Sequence, residues 1–170
     1  MVIYLYKATP KHRMNFIRLA SEGYFDGTTF HRCIKNFVIQ GGDPNTRDND
    51  TLNDGDGGPD YLIKNEISKK LIHKYGSVGA ARDDHPKMAS HGSQFYIVTN
   101  PAGTPHLDGK YTVFGEVISG IEVAEIIADQ PRNDKDRPLT DIPMTVSIHQ
   151  YRISQANEEY GFDISKLQAK

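Results

Sequence analysis

The segment from Phe30 to Asp43, which reads FHRCIKNFVIQGGD, constrains the fold of this chain more than any other stretch. Two short runs of β-branched and aromatic residues flank a break at Lys35-Asn36, and Gly-Gly-Asp ends the second run. This pattern predicts a strand, a turn and a second strand. Arg32 stands in the middle of the first run, where a purely structural strand would carry an apolar residue.

The length of the turn decides which residue faces Arg32. A two-residue turn would put Arg32 and Gln40 on opposite faces of the sheet, because side chains alternate along a strand. A three-residue turn, Lys35 to Phe37, would instead place Arg32 directly opposite Gln40. This second register sets guanidinium donors beside an amide that both donates and accepts. Such a pair, with the ring of Phe37 at its edge, is suited to holding a carbonyl group.

Length and charge limit the classes of protein to which the chain could belong. Its 170 residues suit one domain with a single core. The 20 basic and 22 acidic residues give no reason to expect nucleic acid or an anionic membrane as a partner. No run approaches the roughly 18 apolar residues of a membrane-spanning helix. The start of the chain lacks the regions of a signal peptide, which makes the cytoplasm the default compartment, although an upstream segment could precede Met1.

Neither the cysteine nor the acidic residues predict a metal or a cofactor. Cys33 is the only cysteine, so no intramolecular disulfide can form, and it is expected to fill space in the core. Residues 43–60 hold six aspartates, which invites a calcium loop. If Gly55 is taken as the required sixth residue of such a loop, the twelfth, which needs a bidentate glutamate, is Tyr61. A solvated loop near a substrate groove is therefore expected, and the histidines show no zinc spacing.

The remaining pattern predicts short strands and two helices. Strands are expected at Val2–Tyr6, Ser77–Ala81, Phe95–Thr99 and Thr112–Ile118, and the residues from Thr145 to Ile153 alternate again. The first helix follows Thr9-Pro10, carries the apolar stripe Met14, Ile17 and Ala20, and stops at Gly23. The second covers Ile121–Ala128 with Val123, Ala124 and Ile127 on its inner side. Many short strands with two helices indicate a mainly antiparallel β-barrel or sandwich.

Several motifs, in order along residues 2–150, resemble the cyclophilins, the peptidyl-prolyl cis-trans isomerases. They are YFDGTTFHR at 24–32 leading into the hairpin, GSVGAAR at 76–82, GSQFYIVT at 92–99 and HLDGKYTVFG at 106–115. The resemblance implies a mainly β fold, a closed antiparallel barrel capped by two helices. We expect an isomerase domain over residues 1–153 and a C-terminal extension or tail over residues 154–170.

The two ends of the chain depart from the cyclophilin pattern. That pattern has one further strand before the strand at Val2–Tyr6, and this chain starts too late to supply it. The barrel is therefore expected to lack the first strand of the family. Either the start is truncated and the tail is loose, or the tail covers the sheet edge that the missing strand would leave, because unpaired edges are a liability.

The resemblance also implies an active site. Its catalytic residues would be Arg32, whose cation would face the amide of the substrate, and Gln40, which would hold the guanidinium in place. The substrate-binding residues would be Phe37, Val38, Ala81, Arg82, Gln94, Tyr96, His106, Leu107 and Tyr111. Within this set, Phe37, Val38, Tyr96 and Leu107 would form an apolar cup for a proline ring. Gln94 and the backbone at Arg82 would grip the peptide chain.

These residues lead to a hypothesis of function with one alternative. The chain is expected to catalyse rotation about X-Pro peptide bonds and to assist protein folding, as a monomer that binds proline-containing peptides and flexible protein segments. The alternative is a module that binds such segments with little turnover. A purely structural domain would leave Arg32, Gln40 and Gln94 unexplained. His106 replaces the tryptophan with which many cyclophilins meet cyclosporin, so weak cyclosporin binding is expected, and Tyr111 stands where many carry a histidine.

Overall fold

The computed structural model describes residues 1–161 together with Asp163 and Leu167. The strands are β1 (Val2–Leu5), β2 (Phe30–Ile34), β3 (Val38–Gly41), β4 (Leu62–Ile63), β5 (Ser77–Ala80), β6 (Ser90–His91), β7 (Phe95–Val98) and β8 (Val113–Ser119). The α-helices are α1 (Pro10–Ser21), α2 (Ile121–Ala128) and α3 (Ile153–Tyr160). Short 3-10 helices lie at Pro44–Arg47 and Pro105–Leu107. No helix in the described part of the chain is long and apolar enough to cross a membrane.

The strands pair antiparallel throughout. Six of them form one sheet in the order β1-β8-β5-β7-β3-β2, and β4 pairs with β6 in a second, two-stranded sheet. Strands that are distant in the chain therefore lie side by side, as β5 does between β7 and β8. The predicted mainly β, antiparallel architecture with helices is confirmed. The sequence pattern missed β4 and β6, because a strand of two residues is too short to show alternation.

The hairpin of β2 and β3 adopts the three-residue turn. Arg32 pairs with Gln40, Cys33 with Ile39 and Ile34 with Val38. Asn36, inside the turn, takes a positive φ of 55°, which asparagine tolerates better than most residues. The register therefore places Arg32 and Gln40 on the same face of the sheet.

The opposite face of the hairpin contributes to the main core. Cys33 and Ile39 are both fully buried there, so the prediction that Cys33 fills space is confirmed. Burial raises the pKa of the Cys33 thiol to about 12, because a thiolate is poorly solvated among apolar side chains. One strand pair thus supplies core residues on one face and polar residues on the other.

Both helices form where they were predicted, but in each of them one residue of the predicted inner side is exposed. In α1 the buried residues are His12, Phe16, Leu19 and Ala20, whereas Met14 is 59 % exposed. The predicted stripe was wrong at Met14, whereas Ala20 is buried as predicted; α1 also buries His12, a polar residue that bonds to Glu66 and Ser90. In α2, Ala124 and Ile127 are buried as predicted, but Val123 is 41 % exposed.

The expected alternation after Thr145 does not form a strand. Ile142, Met144 and Val146 do pack on the core in alternation, and Met144 exchanges backbone hydrogen bonds with Gly27 and Thr28. Beyond that point the described part of the chain has no assigned strand until α3 begins at Ile153. The predicted tail, residues 154–170, includes most of α3, and its residues after Gly161 lie mostly outside the described part of the chain. Its covering role and the division at residue 153 stay predictions.

Candidate active site

A cavity of about 190 Å³ lies on the face of the sheet that carries Arg32 and Gln40. Its lining comes from several segments that the sheet order brings together: Arg32, Phe37, Val38, Gln40, Gly55, Ala81, Arg82, Asp83, His91, Gln94, Tyr96, Leu107 and Tyr111. Every site residue predicted from the sequence belongs to this set except His106. The predicted residues therefore share one small concave site, as expected of a ligand cleft.

One half of the cavity is an apolar cup. Val38, Ala81 and Tyr96 are buried within one cluster, and Phe37, Leu107 and Tyr111 pack against it. Tyr96 and Tyr111 meet edge to face, with 6.0 Å between ring centroids. The cup follows from the sheet, because Gln40 pairs with Tyr96 and Val38 with Val98, which sets β3 and β7 in register.

Arg32 rises beside this cup. Its guanidinium carbon lies 6.0 Å from the centre of the Phe37 ring, within the range of a cation–π contact. The side chain is half-buried. Within the described ranges the structure shows no hydrogen bond or ion pair from the Arg32 guanidinium. Its donors are therefore available to a ligand.

The predicted link between Gln40 and Arg32 is not the one that the structure shows. Gln40 Nε2 donates instead to Gln94 Oε1, at 3.1 Å. Gln94 Nε2 in turn donates to the backbone carbonyls of Gly55, at 2.7 Å, and Gly57, at 2.9 Å. Because both hydrogens of Gln94 are used in this way, the side chain ties the 43–60 loop to the cavity. Gln94 also lines the cavity, so its predicted grip on a peptide stays a prediction beside this contact with the loop.

The aspartate-rich loop has an ordered anchor. Asp43 is fully buried, and its carboxylate accepts hydrogen bonds from the backbone N–H groups of Asn45, Gly55 and Gly57. A carboxylate with several N–H donors is well satisfied although it is out of water. The loop thus reaches the cavity at Gly55, while Asp43 holds it from behind.

Arg82 contributes its backbone and its side chain in different ways. Its Nε donates to the carbonyl of Lys110 at 2.9 Å, and its guanidinium lies 4.9 Å from the Tyr111 ring centre. The neighbouring residue Ala81 uses both of its backbone groups, with Gln94 and His91. The N–H and C=O of Arg82 itself have no partner among the residues that the structure describes. These two groups can pair with an extended peptide.

The comparisons with known proteins agree with this geometry. Residues 1–148 match the family model of the cyclophilin-type peptidyl-prolyl cis-trans isomerases. The chain belongs to the cyclophilin family. A peptidyl-prolyl cis-trans isomerase of Arabidopsis thaliana is 41 % identical over 144 residues, covering 82 % of this chain and 83 % of the relative. One from Dictyostelium discoideum is 43 % identical over 141 residues, covering 81 % and 82 %.

Solved cyclophilin structures share the fold. A cyclophilin-type isomerase of Cryptosporidium parvum superposes with a TM-score of 0.77 at 31 % identity, covering 88 % of this chain and 91 % of the other. The same protein crystallised in the presence of the dipeptide Ala-Pro gives a TM-score of 0.76 at 30 % identity and covers 88 % and 92 %. The chain is thus a member of an enzyme family that isomerises X-Pro bonds.

His106 lies at the edge of the cyclophilin site, outside the cavity lining. It is exposed on the 3-10 helix Pro105–Leu107 and stacks on Phe37, with ring centroids 5.4 Å apart and planes inclined by 20°. The side chain therefore supports the outer side of the Phe37 wall. A ligand that extends over Phe37 would reach it.

Sequence reasoning missed three residues that line the cyclophilin cavity: Gly55, Asp83 and His91. His91 Nε2 lies 3.2 Å from the carboxylate of Asp83, which is largely exposed. Both belong to the stretch between β5 and β7, which has little local pattern. In the described residues, no group of three or more His, Cys, Asp and Glu side chains could hold a metal ion.

Proposed function

We propose that this cyclophilin rotates X-Pro bonds by directing the Arg32 guanidinium at the substrate amide. The observation that carries the proposal is the half-buried guanidinium of Arg32 beside the apolar cup, with its donors uncommitted to any described residue. Among the described residues, this cation has no hydrogen-bond or ion-pair partner that would explain its position. It is therefore assigned to the substrate.

The reaction needs an electrostatic partner and no nucleophile. Resonance in the peptide bond gives a rotation barrier of about 18–20 kcal/mol. In the twisted transition state that resonance is lost, and the amide nitrogen becomes pyramidal and basic. A fixed donor that meets this nitrogen stabilises the twisted form more than the planar one, which is the condition for catalysis. Arginine suits the role because it keeps its charge in proteins and its fork is rigid.

The other cavity residues hold the substrate around this point. The cup of Val38, Ala81, Tyr96 and their neighbours accepts the proline ring, which has no N–H to satisfy. The free backbone groups of Arg82 pair with the peptide on one side. Gln40, fixed through its donor to Gln94, presents its carbonyl oxygen to the guanidinium or to a substrate N–H. Proline-containing peptides and flexible protein segments are the proposed substrates.

A peptide with one X-Pro bond provides the test. We expect the wild type to bind the peptide and to speed its cis–trans exchange, measured by magnetisation transfer in NMR. The alternative, a module that binds without useful turnover, predicts equal binding and an exchange rate no faster than that of the free peptide. Binding with no acceleration would refute the catalytic role of Arg32.

Two finer expectations about partners follow from the same site. The chain is proposed to act as a monomer, because Arg32 and the apolar cup already supply the groups that the proposed mechanism needs. Cyclosporin is proposed to bind weakly, because His106 offers a smaller ring than tryptophan where a large ligand would extend over Phe37.

A further inference from the structure

A buried chain of hydrogen bonds runs behind the floor of the proline cup. His73 Nε2 lies 2.8 Å from the hydroxyl of Tyr96, and His73 Nδ1 lies 2.7 Å from Asp108 Oδ1. The side chain of His73 is fully buried and that of Asp108 is 30 % exposed. The rings of His73 and Tyr96 stack with an angle of 14° between their planes. The proposed catalytic mechanism uses none of the polar groups in this series of hydrogen bonds.

The direction of the hydrogen bonds follows from the chemistry of the three groups. A carboxylate only accepts, so Nδ1 of His73 carries the proton and Nε2 has a lone pair. The Tyr96 hydroxyl therefore donates to Nε2. Burial lowers the pKa of His73, although the hydrogen bond to Asp108 acts in the opposite sense. Burial also raises the pKa of Tyr96 well above its usual value, so the neutral histidine and the protonated tyrosine of this arrangement are the stable forms at pH 7.

The hydrogen bonds of His73 join two walls of the cup that belong to distant segments. Tyr96 lies on β7, whereas Asp108 directly follows Leu107, whose side chain packs against the cup. Asp108 Oδ1 also accepts a hydrogen bond from the backbone N–H of His73, at 2.8 Å. Asp108 therefore holds His73 through both its ring and its backbone. Gly79 faces the tip of the Tyr96 ring, where a Cβ would overlap it. The tip of the Tyr96 ring therefore lies directly against the backbone of Gly79.

We propose that His73 is a positioning residue of the isomerase site. By accepting from Tyr96 and donating to Asp108, it fixes the distance between the Tyr96 floor and the Leu107 wall, and so sets the affinity of the cup for proline. It also occupies the hydroxyl donor of Tyr96, so that the floor presents only its ring. The inference rests on the proposed function in one respect, that the cup holds the proline ring.

The test compares His73→Leu with His73→Gln. A glutamine amide can donate to Asp108 and accept from Tyr96, whereas leucine leaves the buried tyrosine hydroxyl without a partner. For cis–trans exchange of an X-Pro peptide, we expect His73→Leu to raise KM roughly tenfold with kcat changed less than about twofold. His73→Gln should restore KM to within about threefold of wild type.

Two further variants separate positioning from general destabilisation. His12, in α1, is a matched control, because it bridges Glu66 and Ser90 in a buried chain of the same kind away from the cavity. His12→Leu should lower the melting temperature and leave KM unchanged. In a Tyr96→Phe background, which removes only the hydroxyl, His73→Leu should raise KM less than about threefold, since the orphaned donor is gone.

The outcomes are decisive even where a variant fails to fold. If His73→Leu does not fold, Tyr96→Phe carries the test and should weaken peptide binding about twofold to fivefold in calorimetry. A folded His73→Leu variant with wild-type KM, or an equal effect in both tyrosine backgrounds, would overturn the proposal. Peptide binding is also measured in every variant. Absence of turnover in the wild type would refute the proposed function, while the binding affinities of the variants would still test the role of His73.

Discussion

Gln40 Nε2 donates to Gln94 Oε1 at 3.1 Å, and this bond links two residues for which the sequence predicted separate roles, Gln40 on the guanidinium of Arg32 and Gln94 on the peptide. Gln94 is turned towards the 43–60 loop, whereas Gln40 is fixed on the sheet face beside Arg32. The polar side of the cavity is therefore a connected scaffold. The guanidinium of Arg32 makes no hydrogen bond to a described residue and can therefore act on a ligand.

Replacing Arg32 should remove most of the activity without unfolding the protein. We expect Arg32→Ala to lower kcat/KM by on the order of a hundredfold, because a preorganised donor to the transition state is lost. Arg32→Lys should recover little, since lysine lacks the planar fork. Circular dichroism and exchange kinetics on the same samples check both statements. Unchanged turnover in the alanine variant would exclude the mechanism.

Removing the Gln94 amide should loosen the 43–60 loop. Gln94→Leu leaves the carbonyls of Gly55 and Gly57 without their donor, so we expect a destabilisation of about 1–3 kcal/mol and a higher KM. Hydrogen exchange at the amides of Gly55 and Gly57 should accelerate. Gln130→Leu is the matched control, because Gln130 donates to the carbonyl of Ile126 on an exposed helix end; equal effects of the two variants would contradict the prediction.

A methyl group at Gly79 should disturb the floor of the cup. The added Cβ of Gly79→Ala would overlap the Tyr96 ring, so the ring would have to shift. Overpacking of this kind costs about 1–3 kcal/mol, and we expect KM to rise as well. At Gly58 a Cβ would meet only Ser93 Oγ, at 3.7 Å, so Gly58→Ala serves as the control. Urea unfolding and peptide titration measure the two effects.

Acid should destabilise the fold before it changes the chemistry. Burial lowers the pKa of His12, His31 and His73 below the usual 6.5. Between 6.5 and these lowered values the unfolded chain binds more protons than the folded one, so the free energy of unfolding decreases as the pH falls below 6.5. Urea unfolding at several pH values measures the slope, which should become shallower in His12→Gln.

The activity itself should stay nearly flat between about pH 6 and 8. The residues assigned to catalysis are an arginine and a glutamine, and these side chains do not change protonation state in that range. A steep bell-shaped profile of kcat/KM in protein shown to be folded would indicate acid–base chemistry and argue against the mechanism.

Cyclosporin should inhibit weakly, and His106→Trp should strengthen the inhibition. An indole adds apolar contact and a fixed N–H donor next to Phe37, worth on the order of 1–3 kcal/mol, or about tenfold to a hundredfold in affinity. A titration of both proteins gives the comparison. Equal, tight inhibition of the two would show that the drug does not reach the exposed position where the structure places His106.

The sequence allowed the longer strands to be predicted, since they depend on local alternation that apolar residues make visible, but alternation alone left both a two-residue and a three-residue turn open in the hairpin. The buried faces of the helices could not be predicted in the same way. Met14 and Val123 are apolar but exposed, while the polar His12 is buried because Glu66 and Ser90, distant in the chain, satisfy it. An apolar stripe carries no information about such partners.

The site shows the same division. Its members could be named because they lie in continuous motifs, whereas their partners could not, because these depend on loop geometry. Gln94 turning to Gly55, and His91 approaching Asp83, are contacts between segments without periodic pattern. The local sequence thus determines which site residues lie on a strand. Their hydrogen-bond partners depend on how the loops pack in the folded protein.

Because Cys33 is buried, its rate of chemical labelling can report local unfolding of the native protein. Its only thiol lies on the core-facing side of the strand that carries Arg32, and its raised pKa keeps it protonated and unreactive. An alkylating reagent can reach it only when β2 separates from the core, so the labelling rate measures how often that happens. A cysteine introduced on the surface, by contrast, would label at once and could carry a dye without competition from the native residue.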